Sequence, residues 1–504
     1  MFAKSYSACL VGIEACSVSV ELDISRGIPQ IVIVGLPDTA VNEARERVKS
    51  AIKSSGFELP LSRIVINMAP ADMRKEGSHF DLAIAIGILL SSEQISIKEN
   101  EKYWLIGELS LNGELRPING MLVIAASAKK LGIKSIIVPS QNAKEAALID
   151  GIKVYGAENL NQVVQVLTSE EKEKEKFLVA THDFAPEHYI DFQHDIKYVK
   201  GQYQAKRALE LSAAGFHNLL FVGEPGSGKS MLAHCLPSIM PPLNKESALE
   251  ITKIHSVAGL LLNSGKSVIT TRPFRSPHHS ISGAGLIGGG SNPRPGEISL
   301  SHHGVLFLDE LAEFDKKTLD NLRQPIESGK VIISRAKTSI EYPSKFLLIA
   351  ACNPVSGVKK KTNTLIISAP LWDRFGLVVY VPPLKPDDLI DFNPEKQISS
   401  ADLRKKIKRA WEVQQERFTN EKYVKSNGHM TPKLIRKHCI LTKEAKSLIE
   451  YAAMELDLTG RTYDHVLKTA RTIADLDLYE EIEDEHIAEA IQYRVSQQAI
   501  LNTV

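Results

Sequence analysis

Eight consecutive residues carry the most specific chemical signal in this chain of 504 residues. They are Gly223, Glu224, Pro225, Gly226, Ser227, Gly228, Lys229 and Ser230, and an apolar run, 219–222, precedes them. Glycines let the backbone turn its N–H groups toward phosphate oxygens, and a following helix adds the positive end of its dipole. Lys229 would reach the β- and γ-phosphates, and the Ser230 hydroxyl would bind Mg²⁺. The spacing therefore predicts a strand, a phosphate loop and a helix that bind a nucleoside triphosphate such as ATP.

A second motif follows the phosphate loop along the chain. The apolar run 305–308 ends in Asp309 and Glu310. Strands inside parallel sheets are apolar throughout, and their carboxyl ends form the ligand-binding edge. We expect Asp309 to hold Mg²⁺, directly or through water, and Glu310 to polarise the attacking water as a general base. An apolar strand ending in Asp-Glu is common by itself but specific after a complete phosphate loop.

Further polar residues are candidates for a catalytic role. Asn353 follows the apolar run 346–351 and would hydrogen-bond the attacking water or the γ-phosphate, with a simple Asn-Pro turn as the alternative. Arg374 would reach the nucleotide of an adjacent subunit and neutralise charge in the transition state. Arg461 would reach the γ-phosphate from its own chain, and Arg471 is the second candidate for that role. An ordinary surface salt bridge is the alternative for each arginine.

Basic residues gather where a hairpin is predicted, between strands 331–334 and 338–341. The candidates for a contact with DNA are Arg335 and Lys337 at the turn and, further along, Lys359, Lys360 and Lys361. The chain carries 61 Lys and Arg against 60 Asp and Glu, a net charge of +1, so a site for a polyanion must be local. One such turn per subunit would form a ring of positive charge in an annular assembly. Solvated turn charges are the alternative.

Composition limits the class of protein. A chain of this length exceeds what one core supports, so two to four domains are expected. No apolar run of about eighteen residues offers a membrane span, and no signal-like segment follows Met1, so we expect a cytoplasmic protein that does not contact the membrane. The 5 cysteines are scattered without C-x-x-C spacing, which argues against disulfides and zinc.

Two histidine pairs, His278-His279 and His302-His303, raise the question of a metal site. No acidic residue or cysteine recurs around them at ligand spacing, and adjacent side chains of an extended segment point to opposite faces. We therefore favour a role in loop structure or substrate contact.

The elements predict an α/β fold with several domains. Residues 1–165 combine strands at 17–24, 30–35, 63–67 and 135–139 with helices at 41–55, 80–90 and 121–131. The charged run 169–176 suggests a solvated linker or helix extension, within a linker assigned to 166–198. Residues 199–385 would form a parallel-sheet core, in which the lead-in 198–202 and a helix at 205–214 suit an adenine pocket. Residues 386–504 would form a helical lid, with helices at 402–418 and 443–493.

The N-terminal region resembles the proteolytic domain of the Lon protease family, a ribosomal S5 domain 2-like α/β fold. The similar segments are Lys75 to Leu82 and Gly107 to Gly120. That family needs a serine nucleophile and a lysine base. Here His79 occupies the position of the serine and Leu122 that of the lysine, while Ser78 lies one residue away. The resemblance implies a Lon-like scaffold without the catalytic dyad, and an ATP-dependent peptidase is the disfavoured alternative.

The remaining motifs resemble the magnesium-chelatase-like branch of the AAA+ ATPases. They include Arg272 to His279, Gly288 to Gly290, Pro295 to Gly304 and Leu322 to Glu327, and the whole chain resembles the ComM/YifB family. The resemblance implies a hexameric ATPase that acts on DNA, as a helicase in branch migration during integration of transforming DNA. The chain departs from it at 355–367, where relatives usually carry a cysteine-rich segment. A chelatase-type or chaperone-like ATPase that remodels a protein partner is the alternative.

Overall fold

The structure is a computed structural model and describes residues 2–97, 102–180, 194–262, 265–290, 293–334, 339–353, 368–384, 393–421 and 424–503, with side chains as far as residue 494. The chain divides into two compact units. Unit 1 comprises Met1–Pro186, Asn244–Ile269 and Ser334–Tyr342. Unit 2 comprises Glu187–Leu243, Thr270–Ile333 and Pro343–Val504.

The strands are numbered in chain order. They are β1 (Phe2–Val11), β2 (Glu14–Ser25), β3 (Gln30–Val34), β4 (Arg63–Ala69), β5 (Tyr103–Leu105), β6 (Glu108–Leu109), β7 (Leu115–Arg116), β8 (Ser135–Pro139), β9 (Lys153–Ala157), β10 (Leu219–Val222), β11 (Phe274–Arg275), β12 (Gly288–Gly289), β13 (Arg294–Pro295), β14 (Val305–Leu308), β15 (Lys330–Ser334), β16 (Ser339–Pro343), β17 (Leu347–Cys352) and β18 (Leu377–Tyr380).

The helices are numbered in the same way. They are α1 (Thr39–Ser54), α2 (Asp81–Ser91), α3 (Met121–Lys130), α4 (Ser140–Ala146), α5 (Leu160–Thr168), α6 (Glu171–Lys174), α7 (Tyr203–Gly215), α8 (Lys229–Ile239), α9 (Lys245–Val257), α10 (Gly283–Ile287), α11 (Glu297–Leu300), α12 (Lys316–Asp320), α13 (Arg323–Ser328), α14 (Ala369–Trp372), α15 (Ser400–Arg417), α16 (Pro432–His438), α17 (Lys443–Glu455), α18 (Gly460–Asp477) and α19 (Asp484–Thr503).

Unit 1 is built on a seven-stranded mixed sheet in the order β3-β4-β2-β1-β5-β8-β9. Successive side chains of a strand point to opposite faces of the sheet. In β8, Ile137 belongs to a core with helices α1, α2 and α5, whereas Ile136 and Val138 belong to a second core with α3 and α4. The sheet therefore lies between two helical layers, as its apolar strands require.

Unit 1 also contains two segments from the region predicted to be the parallel-sheet core. Helix α9 is one of them, and it is joined to α3 and α4 through Glu145, which accepts hydrogen bonds from Leu122 N (2.9 Å) and from the Ser256 hydroxyl. Burial raises the pKa of the Glu145 carboxyl. The other segment includes Ile340, which is packed so closely that a side chain on Gly12 would lie 2.5 Å from Ile340 Cγ2. Unit 1 therefore includes segments that lie beyond residue 165, where the first domain was predicted to end. Local sequence does not show such packing between distant segments.

The predicted linker 166–198 is partly folded. Its charged run forms α6, and Lys174 is buried with its Nζ donating to the Tyr103 hydroxyl at 3.0 Å. The following residues also return to the sheet, since Val179 N donates to Val154 O at 2.9 Å. The alkyl stem of a lysine can be buried while its amine finds a polar partner, which a count of charged residues does not predict.

Unit 2 contains a five-stranded parallel sheet in the order β11-β14-β17-β10-β18. Strands β10 and β14 are fully buried, and one hydrophobic core joins the sheet to α7, α8 and the lid helices α15 to α19. Three of the lid helices, α15, α17 and α18, begin at capping residues, because the side chains of Ser399, Thr442 and Thr459 accept backbone N–H groups. The predicted α/β class with a parallel sheet and a helical lid is confirmed. Among the described residues, no helix is long and apolar enough to cross a membrane.

Candidate functional site

The phosphate loop connects β10 to α8, as its sequence predicts. Gly226 and Gly228 have φ values of 79° and 92°, which side-chain-bearing residues rarely adopt. Gly223 is required for a different reason, since a Cβ built on it would lie 2.2 Å from Val381 O. The three glycines therefore allow a tight turn that ends at the N-terminus of an eleven-residue helix.

Lys229 is held over this loop. Its Nζ donates to Gly223 O and to Glu224 O, each at 2.8 Å, and the residue is 8% exposed. Burial lowers the pKa of the amine below its ordinary value of 10.5. A cation fixed at this position suits the binding of phosphate oxygens.

Ser230 and Asp309 meet at the carboxyl edge of the sheet. The Ser230 hydroxyl donates to Asp309 Oδ2 at 2.7 Å, and Asp309 Oδ1 accepts Glu310 N at 2.9 Å. A hydroxyl and a carboxylate oxygen are the hard ligands that Mg²⁺ prefers, and Mg²⁺ commonly takes its remaining ligands from water and phosphate. The two residues predicted to hold this ion therefore fit it.

Glu310 follows Asp309 in the left-handed backbone region, with φ of 50°. Its side chain is 58% exposed, and Oε2 lies 3.4 Å from His279 Nδ1. Parallel pairing of β11 with β14 brings the two together, because the residues that follow both strands lie at the same edge. This contact was not predicted from the sequence, although His279 belongs both to the segment Arg272 to His279 and to one of the two histidine pairs.

Asn353 is exposed immediately after β17. This strand lies between β14 and β10, so its tip borders both the Asp309 strand and the phosphate loop. Gly223 N donates to Cys352 O at 3.2 Å, which attaches the tip directly to the loop. Burial raises the pKa of the Cys352 thiol to about 11, so this cysteine is held as the neutral thiol.

Gln202, in the lead-in 198–202, contacts the phosphate loop. It immediately precedes α7 with φ of 56°, and its side-chain amide donates to Ser227 O at 3.2 Å and to Pro382 O at 2.7 Å. It therefore ties the lead-in 198–202 to the phosphate loop and to the chain that follows β18.

Two of the predicted arginines converge on one carboxylate. Arg374 Nη2 contacts Glu327 Oε1, and Arg461 Nη2 lies 3.6 Å from the same oxygen. Arg461 Nη1 is also 4.0 Å from Asp373 Oδ2. The sequence assigned these arginines to nucleotides of different chains, but it gave no sign that they share Glu327.

Arg471 has a different environment. Its side chain is 1% exposed, Nε donates to Asp475 Oδ1 at 3.0 Å, and the other nitrogens donate to the backbone oxygens of Tyr479 and Glu480. Arg417 contacts the same aspartate. The guanidinium of Arg471 is thus buried inside the lid and hydrogen-bonded to other lid residues. Of the two candidates for a phosphate contact, Arg461 therefore remains.

The residues predicted to contact DNA lie outside the described residues, as does the segment 355–367. These are Arg335, Lys337, Lys359, Lys360 and Lys361. The strands on either side of the predicted turn are present as β15 and β16. Their ends are close together, since the hydroxyls of Ser334 and Ser339 are 3.3 Å apart.

The two rings of each histidine pair lie close together and are tilted relative to each other. Ring centroids are 4.0 Å apart both in His278-His279 and in His302-His303, so the expectation that neighbouring rings point to opposite faces is wrong. The backbone is not extended at the second pair, where His303 has φ of 53°. His302 is buried, and its Nδ1 accepts Lys345 N at 2.9 Å, which is a structural role in the loop.

The two positions of the Lon-type dyad belong to the core of unit 1. His79 is 7% exposed, its Nε2 bonds to Ala8 O at 2.8 Å, and burial lowers the pKa of the imidazole to about 4. Leu122 is fully buried in α3. The hydroxyl of the neighbouring Ser78 donates to the carboxylate of Glu108. At these two positions the structure therefore has a buried imidazole and a leucine in place of a serine and a lysine.

Comparison with known families assigns most of the chain to magnesium chelatase sequences. Residues 195–389 match the family described as magnesium chelatase, subunit ChlI. Residues 20–142 match the family described as subunit ChlI of Mg-chelatase, and residues 397–494 match the ChlI C-terminal family. The first match contains the whole phosphate loop and both carboxylates of the site.

Individual relatives extend this result over nearly the whole chain. The competence protein ComM of Haemophilus influenzae is 40% identical over 97% of this chain and 96% of its own length. The YifB protein of Escherichia coli is 40% identical over 99% of this chain and 98% of its own length. The magnesium-chelatase 38 kDa subunit of Cereibacter sphaeroides is 26% identical over 36% of this chain and 57% of its own length.

Proposed function

This chain belongs to the magnesium-chelatase-like AAA+ family that includes ComM and YifB, and from that premise we propose that it is a Mg²⁺-dependent ATP hydrolase that works on DNA as a ring of identical subunits. The observation that carries the hydrolase is the 2.7 Å hydrogen bond between Ser230 and Asp309. It joins the phosphate-loop helix to the carboxylate strand, the two elements that must meet to hold a nucleotide with its metal.

Binding of ATP would rest on the loop. Backbone N–H groups of the glycine-rich turn and the N-terminus of α8 would surround the phosphates, and Lys229 Nζ would donate to their oxygens. Ser230 and Asp309 would hold Mg²⁺. When bound, this ion neutralises charge on the β- and γ-phosphates.

Hydrolysis would depend on residues at the edge of the sheet. Glu310 is the proposed general base, because Asp309 is already engaged by Ser230 whereas the Glu310 carboxylate is exposed and within reach of solvent. Asn353, at the tip of the neighbouring β17, would orient the attacking water or the γ-phosphate.

Arg374 would complete the site of the adjacent subunit by neutralising negative charge in the transition state. Because Arg461 shares the Glu327 carboxylate with Arg374, we propose that it serves the same interface. This changes the role expected from the sequence, in which Arg461 served the nucleotide of its own chain. A hexamer is the expected ring.

DNA is the proposed substrate because a relative 40% identical is named a competence protein, and competence is the uptake of DNA. The finer proposal is branch migration while transforming DNA is integrated. The turn that carries Arg335 and Lys337 would supply the contact, with help from Lys359, Lys360 and Lys361. Such contacts would act on phosphates and would not depend on base sequence.

The experiment is ATP hydrolysis by the purified protein with and without single-stranded or branched DNA, and Lys229→Ala is the control for contaminating ATPases. We expect hydrolysis that DNA stimulates. Hydrolysis without any response to DNA would favour the second candidate, a chelatase-type or chaperone-like ATPase that acts on a protein. The similarity to a magnesium-chelatase subunit supports this candidate. No hydrolysis by the wild type would contradict the proposal.

A further inference from the structure

Glu327 contacts Arg374 and Arg461, the two arginines that the proposed function places at the subunit interface. The proposed function gives Glu327 itself no role. It lies near the end of α13, in the segment Leu322 to Glu327, and Gly329 ends that helix with φ of 65°. Its Oε1 contacts Arg374 Nη2 and lies 3.6 Å from Arg461 Nη2. Three elements that are distant in sequence, α13, the chain after α14 and the start of α18, therefore meet at one oxygen.

The charges at this point explain why a carboxylate is needed. The Arg374 side chain is 15% exposed, and its Nε is buried without a hydrogen-bond partner among the described residues. A cation so far removed from water requires a nearby anion. Arg461 brings a second positive charge to the same oxygen, and two guanidinium groups without a carboxylate between them would repel each other.

We propose that Glu327 is the positioning residue that holds Arg374 and Arg461 together as a pair aimed at the phosphates of the adjacent subunit. The inference rests on the proposed function, in which these arginines serve that interface. Glu327 acts through the arginines and does not touch the nucleotide, since its own negative charge would repel a phosphate. Its contribution is to keep both guanidinium groups at one place, because misplaced catalytic groups lose much of their effect.

The test is Glu327→Gln, which keeps the size of the side chain and removes its charge. We expect kcat for ATP hydrolysis to fall about tenfold, less than the full contribution of an arginine at a transferring phosphate. KM and the affinity for a fluorescent ATP analogue should stay within about twofold, because the phosphate loop is unchanged. Glu327→Asp, which retains the charge, should recover part of the lost kcat. Glu444→Gln, an exposed position in the first turn of α17, is the matched control.

A double variant separates positioning from mere loss of structure. If Glu327 acts through the two arginines, then Glu327→Gln should lower kcat by a smaller factor in an Arg374→Ala background than in the wild type, because only Arg461 remains to be positioned. Independent, additive losses, an unchanged kcat or an increased kcat in the single variant would overturn the inference. Thermal unfolding and sedimentation confirm that each variant is folded and assembled.

The two proposals fail in different ways. If the wild type does not hydrolyse ATP, or if Arg374→Ala leaves kcat intact, the proposed function of the arginine is wrong. If Arg374→Ala lowers kcat and Glu327→Gln does not, only the role given to Glu327 is wrong.

Discussion

Replacement of His79 by Gln tests whether the position of the Lon-type serine is part of the structural core in this chain. His79 is 7% exposed, and its ring centroid lies 4.2 Å from that of Phe80. Burial lowers the pKa of the imidazole from 6.5 to about 4. Glutamine is neutral at every pH, and its amide can donate to Ala8 O as His79 Nε2 does. The substitution therefore removes the titration and keeps a donor.

The size and sign of the effect follow from the two pKa values. The unfolded chain takes up a proton near pH 6.5, whereas the folded chain keeps His79 neutral down to about pH 4. The unfolded state thus binds more protons between these values, so the stability of the wild type is complete above pH 6.5 and decreases as the pH falls toward 4. One pKa unit corresponds to about 1.4 kcal/mol, which gives a loss of about 3 kcal/mol in all and about 2.5 kcal/mol by pH 4.5.

Urea unfolding at pH 7.5 and pH 4.5 measures this loss. Trp104 is fully buried in unit 1 and reports its unfolding once Trp372 and Trp411 are replaced by Phe. Acid also protonates carboxylates, but these are common to both proteins and cancel in the difference. The wild type should lose about 2.5 kcal/mol more than His79→Gln on going to pH 4.5. Parallel losses would mean that His79 is solvated when folded, contrary to its burial.

Three further predictions concern the proposed ATPase and its proposed contact with DNA. Lys229→Ala should reduce binding of a fluorescent ATP analogue at least tenfold, because it removes a charge-assisted contact to phosphate; normal affinity would exclude Lys229 from the site. Arg374→Ala mixed with Lys229→Ala should regain part of the ATPase, because one interface of a hybrid ring then combines an intact loop with an intact arginine. No gain in rings shown to be mixed would indicate that Arg374 serves its own chain. Arg335→Glu with Lys337→Glu should weaken binding to DNA of any sequence and flatten its salt dependence while basal ATPase survives. Unchanged affinity across a salt series would direct attention to the loops 272–279 and 288–294.

The phosphate loop was predictable because its chemistry is local. Glycines at fixed spacing, a lysine and a serine define the turn whatever surrounds it, and the apolar strand before Asp309 indicates where the metal carboxylate lies. The meeting of Ser230 with Asp309 needed one more assumption, that both strands run parallel in one sheet. The structure has them so, with β17 between β14 and β10.

Other features depended on packing that local sequence does not encode. Glu327 meets Arg374 and Arg461 only after three separate elements fold together. The burial of Arg471 follows from its place on the inner face of α18, one turn before Asp475, with which it pairs. The segment Asn244–Ile269, which contains α9, belongs to unit 1 although the chain on both sides of this segment belongs to unit 2.

The expectation for the histidine pairs failed for a conformational reason. It assumed an extended backbone, in which neighbouring side chains alternate. At His303 the backbone is left-handed, and the two rings of each pair lie together. Alternation along a strand is therefore no guide in a loop that is rich in glycine and proline.

Hydrolysis of ATP by Glu310→Gln tests the central claim most directly. The carboxamide keeps the shape of the side chain and cannot accept a proton from water, so binding of ATP with Mg²⁺ should persist while the rate of hydrolysis falls by about 10²- to 10⁴-fold. Glu313→Gln, an exposed neighbour at the end of the short 3₁₀ turn Leu311–Glu313, is the control and should hydrolyse ATP as the wild type does. Wild-type turnover by Glu310→Gln would contradict the assignment of this site.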